Sequence, residues 1–312
     1  MSRFPAPAGM CAVELDRHQL LRISGEDRIE FLQGQLTQDV DRIDPRHSRL
    51  AGWTTAKGRL LAVGQLLPGP EALWWPLPAD IIDGIARRLG LFVLRAKVEI
   101  AVMNFAVAGL IGLAADAPLT LGNLELPVEP GAAASADEPG AGELIVARLI
   151  GDPTRAWLCG PAEHVRAVCT QAGFGTAGIA DWQLADITAG LPGICAATSE
   201  AFIPQMLNLD LLDGISFTKG CYVGQEIVAR TQNLGRIKRR MYRFTTKAAG
   251  LEPGATIHGP SQATGKIVSV APNGGAFELT AVIAIDQSDG QWFADDAASG
   301  TLERLELPYA VG

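Results

Sequence analysis

The chain has 312 residues, 48% of them hydrophobic and 19% charged, and 26 basic against 34 acidic side chains leave a formal net charge of -8. That length carries two or three domains with cores of their own, and that balance excludes an intrinsically disordered chain. The acidic total argues against a protein coated in nucleic acid, so no direct nucleic-acid contact is expected.

From the N terminus, Met1-Ser2-Arg3-Phe4-Pro5-Ala6-Pro7 lacks an apolar run of signal-peptide length, and no stretch of about 18 apolar residues follows anywhere. The expected compartment is the cytoplasm, without a membrane. Gln19-Leu20-Leu21-Arg22-Ile23 reads as a strand, and Ser24-Gly25-Glu26-Asp27 as a capping box opening a helix with Ile29, Leu32 and Leu36 on one face. Its continuation, Phe31-Leu32-Gln33-Gly34-Gln35-Leu36-Thr37-Gln38-Asp39-Val40, is more polar than packing needs. On a capped amphipathic helix those amides are solvated.

Residues 50–55 and 59–67 read as a hairpin turned by Ala56-Lys57-Gly58, and Leu73-Trp74-Trp75-Pro76-Leu77 as a third strand. Ile81, Ile85 and Leu89 then recur at helical spacing before a strand at 97–102. Strands and a helix in this order predict an α+β layer. Residues 126–142, rich in Pro, Gly and Ala with no periodic apolar face, read as a surface loop or subdomain connection. Strands at 144–149 and 156–159 and a helix from Gly160-Pro161 carrying Val165 and Val168 repeat the α+β pattern. A helix over 180–190 ends at Gly190, and Leu191-Pro192 prevents its continuation. Trp182 in its first turn serves as a core anchor or as a ligand platform.

The densest stretch is Phe217-Thr218-Lys219-Gly220-Cys221-Tyr222-Val223-Gly224-Gln225-Glu226-Ile227-Val228-Ala229-Arg230. Ile215 and Phe217 alternate with Ser216 and Thr218 as in a short strand, and residues 226–230 open a helix. Gly220 and Gly224 bracket Cys221 on a tight loop. A helix N-terminus and the cation of Lys219 favour thiolate, whereas a small buried apolar residue is the plainer role of such a cysteine. Beyond it, Gly235-Arg236-Ile237-Lys238-Arg239-Arg240-Met241-Tyr242-Arg243 concentrates positive charge, either to receive carboxylates or phosphates or as the solvated face of an edge strand. Short strands at 241–245, 265–270, 277–285 and 301–307 predict a small barrel or sandwich.

The Lys219-Gly220-Cys221-Tyr222-Val223-Gly224-Gln225-Glu226 run resembles the K-G-C-Y-x-G-Q-E signature of the YgfZ-type folate-binding proteins, relatives of the glycine-cleavage T-protein implicated in iron-sulfur cluster assembly or repair. The likeness extends through residues 181–192 and 202–209 and, in residues 31–39, to the family's F-L-Q-G-Q-x-T-x-D element, which implies that its Gln and Thr side chains, Gln35, Thr37 and Gln38 among them, line a shared cavity. Gly265-Lys266-Ile267-Val268-Ser269 is similar to a strand of the T-protein C-terminal barrel. The resemblance implies a T-protein-like multi-domain ring of two α+β subdomains, residues 1–235 and possibly discontinuous, plus a small C-terminal β-barrel, residues 236–312. It also implies tetrahydrofolate or a derivative in a central channel. Trp182 retains an aromatic that contacts folate in the family, and His18 stands where a second aromatic is expected.

Five cysteines, at 11, 159, 169, 195 and 221, with no C-x-x-C pair, suggest no disulfide framework, structural zinc site or resident cluster. The resemblance therefore implies an accessory protein that binds tetrahydrofolate and meets iron-sulfur client enzymes transiently, supporting tRNA thiomethylation indirectly. Cys221 is its reactive or transiently ligating thiol and Lys219 tunes it. A folate site wants a carboxylate or amide, an aromatic surface and basic residues at its exit, for which Gln35, Glu226, Trp182, Lys57 and Arg230 are candidates; Glu226 and Arg230 equally suit a pair on the helix surface. The enzyme alternative is a folate-dependent aminomethyltransferase or demethylase, for which the sequence offers no acid at the one-carbon position. A cysteine hydrolase lacks a base motif among His18, His47, His164 and His258, and a binding scaffold with a structural thiol is the remaining alternative.

Overall fold

The computed structural model describes residues 9–122, 124–138, 142–151, 154–233, 235–295 and 300–311. Its first part is a five-stranded antiparallel sheet in the order Arg49–Thr54, Leu60–Pro68, Ala72–Pro78, His18–Ser24, Glu99–Met103. Helices α1 (Arg28–Gln33) and α2 (Ala79–Gly90) accompany it. Ile81, Ile82, Ile85 and Leu89 recur on one face of α2, and all four are buried against Leu21, Leu73 and Trp75 of the sheet.

The second part is a six-stranded sheet, Ala133–Glu138, Gly142–Arg148, Ala156–Gly160, Ala106–Ile111, Cys11–Glu14, Gly175–Thr176. Only the last pair of strands is parallel. The first strand of the chain thus belongs to the second sheet. Its two-residue period sorts the faces. Val107, Ile111, Ile145 and Trp157 pack on Leu20 and Trp74 of the first sheet, while Ala108, Leu110, Leu144 and Leu158 pack on Val165 and Val168 of α3 (Ala162–Gln171).

The third part is a closed antiparallel barrel of Arg239–Thr246, Ala276–Ala284, Thr264–Asn273, Thr256–His258, Trp292–Phe293 and Thr301–Leu305. Tyr242, Phe244, Ile267, Leu279 and Trp292 fill it. It closes the ring from both sides: Leu184 and Ile187 of α4 (Ile179–Ala189) pack on barrel Ala271, and barrel Met241, Val268 and Val282 enter the core of the first part. Among the described residues no helix is long and apolar enough to cross a membrane.

Four local expectations are corrected. Helix α1 spans six residues, and the predicted capping box does not form: Asp27 at the N-cap makes no side-chain cap, because its carboxylate accepts the Lys97 N–H at 2.7 Å. Leu36, expected on that helix, instead bridges to Trp53. The segment read as a loop contains the strand Ala133–Glu138; the small side chain of Ala133 fits where the two sheets approach, buried in the same cluster as Leu67 and Trp74. Residues 215–218 form no strand. Ile215 is buried, Phe217 is 42% exposed, and the Ser216 N–H donates to Thr37 O at 2.9 Å. The basic run is neither an open anion site nor an edge at Arg240 and Arg243. Arg240 forms a bidentate buried pair with Asp210 (2.8 and 2.7 Å) and Arg243 pairs with Glu278 inside the closed sheet.

Candidate functional site

Where the three parts meet, they leave a cavity with two lobes of about 520 and about 220 Å³. The first sheet contributes His18 and Pro78, α4 contributes Gln183 and Asp186, the loop after it contributes Cys195, and the barrel side contributes Pro253; these six line both lobes. One wall is aromatic. His18 lies 5.6 Å from Trp157 and Trp157 lies 4.8 Å from Trp182, centroid to centroid, in tilted pairs. Trp182 can lie this close to the second sheet because the strand residue beneath it is Gly109, where any side chain would overlap the indole ring.

The electrostatics of this wall follow from burial. Asp186 ion-pairs with the fully buried Arg155 at 2.9 Å, and Arg155 also lies 5.3 Å over the Trp182 ring. Desolvation raises the Asp186 pKa despite that cation. Burial lowers the His18 pKa to about 4, with Asp80 and Asp16 opposing, so its imidazole is neutral at pH 7. His18 Nδ1 and the indole N–H groups of Trp157 and Trp182 are sealed from solvent with no hydrogen-bond partner. An unpaired buried polar group costs about 1–3 kcal/mol. Three lie behind one wall, out of reach of a water-sized probe, so they are a cost carried by the packing of the wall and not donors or acceptors facing the lumen.

The cysteine loop is a separate locus. Cys221 is exposed, four residues before α5 (Gln225–Asn233). The backbone around it is fixed from several directions: the Val223 N–H donates to Gly34 O (3.3 Å), the Thr54 hydroxyl donates to Val223 O (2.6 Å), and the Tyr222 N–H donates to Gln225 Oε1 (3.3 Å). Gly224 takes a φ of +83° and abuts Thr54, Thr55 and Gly58, so the loop and the hairpin turn lie backbone against backbone. Lys219 is 9% exposed, and its ammonium donates to the carbonyls of Leu36 (2.8 Å) and Gln38 (2.7 Å), 5.2 Å from the Tyr222 ring centroid. Desolvation lowers its pKa to about 8, with Asp39 and Asp41 opposing.

The eight residues singled out in the sequence therefore fall into two groups. His18 and Trp182 meet at the cavity. Gln35 lies between the two tethers of the cysteine loop, its Oε1 accepting from Trp53 Nε1 at 3.4 Å; Lys57 is exposed in the turn that packs on Gly224 and Ile227; Glu226 and Arg230 are exposed on α5. With Lys219 and Cys221 they surround the loop, and none of the six lines the cavity. Thr37 and Gln38, expected beside Gln35 in a shared cavity, are structural: the Thr37 hydroxyl donates to Gly214 O at 2.7 Å and Gln38 Nε2 donates to Leu50 O and Asp213 O. Asp186, Trp157, Arg155 and Cys195 were not singled out. Only Asp186 carried a signal, its i,i+4 spacing from Trp182 on one helix face.

No family model matches the chain. The chain is 33% identical over 230 residues to the tRNA-modifying protein YgfZ of Colwellia psychrerythraea, covering 74% of this chain and 70% of that protein. It is 32% identical over 320 aligned positions to the tRNA-modifying protein YgfZ of Yersinia pseudotuberculosis, covering 96% and 92% of the two chains. Among solved structures, the glycine cleavage system aminomethyltransferase T of Bartonella henselae superposes with a TM-score of 0.75 at 13% identity, covering 97% of this chain and 86% of that one. That likeness is one of fold.

Proposed function

The chain belongs to the family of tRNA-modifying proteins named YgfZ, and on that premise we propose that it is a cytoplasmic tetrahydrofolate-binding accessory protein that supports assembly or repair of iron-sulfur clusters in client enzymes, and through them tRNA thiomethylation. In this reading residues 1–235 form the folate-binding region and residues 236–312 the barrel that closes it. The observation that carries it is the aromatic wall beside Asp186 at the cavity where the three parts meet.

The residues present fit the ligand. His18, Trp157 and Gln183 present the aromatic and amide surface of the cavity to a flat pterin, Trp182 backs that wall, and Asp186 accepts from the pterin's N–H donors. Arg17, at the rim of the larger lobe, offers positive charge to the glutamate tail. Bound tetrahydrofolate supplies a carrier for a one-carbon unit. Cys221 is the exposed thiol offered to the client or its cluster, and Lys219 holds that thiol in place by tethering the loop. Gln35, Lys57, Glu226 and Arg230 belong to the face around it.

The test is calorimetric titration of the purified protein with tetrahydrofolate, comparing the parent with Trp182→Phe, which keeps an aromatic ring but removes the indole N–H, and with Cys221→Ser. Saturable binding that weakens about tenfold in Trp182→Phe, as the smaller ring loosens the wall against Trp157, and is unchanged in Cys221→Ser supports the two-locus reading. A folded parent that takes up no tetrahydrofolate removes folate from the function.

A second reading, a folate-dependent aminomethyltransferase or demethylase, gains from one observation: Asp186 places at the cavity the acid that the sequence did not reveal. Turnover of a methylamine donor with tetrahydrofolate, lost in Asp186→Asn, selects it.

A further inference from the structure

Helix α2 runs out into an apolar knuckle. Leu91 and Leu94 are 72% and 89% exposed, the two most exposed large hydrophobic side chains among the described residues, and Phe92 between them is 41% exposed. The knuckle is built, not frayed. The N–H groups of Leu91, Phe92, Val93 and Ala96 donate to the carbonyls of Arg88, Leu89, Gly90 and Val93 at 3.3, 3.0, 3.2 and 2.8 Å, and Val93 packs inward on the core of the first part. Leu94 takes a φ of +46°, a conformation that disfavours a bulky side chain, and strain of that kind collects at functional positions. The knuckle and the cysteine loop are footed on neighbouring strand residues: Phe92 packs edge-on against Trp53 (6.3 Å between centroids), and Thr54 holds Val223 O. The charge around the knuckle is one-sided. Residues 84–97 carry Arg87, Arg88, Arg95 and Lys97 and no acid, in a chain of formal net charge -8. Glu200 takes Arg88 (3.1 Å) and Glu26 takes Lys97 (2.6 Å), whereas Arg87 and Arg95 are exposed and form no ion pair among the described residues, not even with Asp83 or Glu99, which flank the run.

We propose that this knuckle is the docking surface for the client enzyme, which seats an apolar segment on Leu91, Phe92 and Leu94 and sets carboxylates against Arg87 and Arg95. The inference rests on the accessory reading and names the surface that holds the client while Cys221 meets it. Charge and apolarity together select the occupant. Two leucines and a phenylalanine make the apolar centre of a protein interface, and unpaired cations around them make a rim that steers an acidic partner. A second copy of this chain would meet the patch about a two-fold axis, bringing Arg87 and Arg95 toward cations of their own kind with no free carboxylate from the run between them. Nucleic acid would engage the cations through its phosphates and leave the leucines in water. An apolar segment flanked by Asp or Glu satisfies both halves of the patch.

The test titrates the full-length protein with the purified iron-sulfur enzyme that thiomethylates tRNA, with binding read by interferometry. Leu91→Ser/Leu94→Ser weakens binding at least about tenfold. Arg87→Glu/Arg95→Glu weakens it about tenfold at low ionic strength and much less at about 0.5 M salt, where the charges are screened. Leu211→Ser, which removes an exposed leucine outside the knuckle, leaves it unchanged. All three variants alter exposed side chains and keep the parent's fold and tetrahydrofolate affinity. Knuckle variants that bind the enzyme as the parent does overturn the inference and leave the accessory reading standing, whereas a folded parent that does not bind the enzyme overturns the client role and this inference with it. A parent that sediments as a dimer split by Leu91→Ser/Leu94→Ser gives the knuckle to a second copy, and anionic phospholipid vesicles that bind the parent but not that variant give it to a membrane; either result overturns the inference.

Discussion

The central cavity and the cysteine loop solve opposite problems with opposite use of polar groups. At the cavity the side chains are buried and rigid while three of their polar atoms are left unpaired. At the loop the backbone is tied by Lys219, Thr54, Gly34 and Gln225, and the thiol those ties position is the group left exposed. The first arrangement encloses a cavity behind side chains packed on one another; the second leaves one thiol in the open. The two therefore differ in what perturbs them.

Acid is the sharpest way to separate them. His18 binds its proton only near pH 4 when folded and near its ordinary 6.5 when unfolded, so the unfolded chain holds more protons throughout that window and stability is lost as the pH drops through it. The shift corresponds to about 3 kcal/mol. Denaturant titrations at pH 7 and pH 4 are expected to show that loss in the parent beyond what His18→Gln shows, with indole emission of the cavity as the probe. Lys219 obeys the same sign in another range. Its lowered pKa of about 8 against an ordinary 10.5 makes its contribution rise with pH between those values. Equal pH 4 penalties in parent and His18→Gln would contradict the buried, neutral imidazole.

The next effect belongs to the loop. Lys219→Met removes both donors and leaves two buried carbonyls unpaired, a loss of about 2 kcal/mol after the relief of desolvation is allowed for. That converts to about 30-fold faster amide hydrogen exchange over residues 216–224. Exchange in α4 and tetrahydrofolate binding are expected to stay as in the parent. Matching acceleration in α4 would show that loop and cavity are one cooperative unit, and the comparison would collapse.

What was legible in the sequence was local. The buried face of α2 is written in Ile81, Ile85 and Leu89, and the end of α4 in Gly190-Leu191-Pro192, because each depends on neighbours within a turn or two. The strand Ala133–Glu138 was illegible for the converse reason: alanine has no strong strand signature, and its pairing with Gly142–Arg148 is decided by where two sheets must approach. The site divides likewise. The signature run named the cysteine loop, but its density suggested one constellation, and sequence proximity does not reveal that Lys219 turns its charge onto Leu36 and Gln38. His18, Trp157 and Trp182 come from the first sheet, the second sheet and α4, and only the packing of those three parts brings their rings together.

The smallest structural effect is the most informative about function. Cys221 is exposed, and the loop hydrogen bonds described above involve backbone groups and the side chains of other residues, so Cys221→Ser changes stability by no more than about 0.5 kcal/mol. Serine keeps size and polarity and removes only the soft, oxidisable, metal-ligating sulfur. Tetrahydrofolate binding is expected to match the parent, while rescue of tRNA thiomethylation in cells lacking the protein falls to the background level. The opposite pairing, full rescue by Cys221→Ser together with loss of rescue on Trp182→Phe, would assign the activity to the cavity alone. The loop would then be a structural clamp, because a partner that reads the surrounding face without the sulfur has no use for a thiol fixed so firmly in the open.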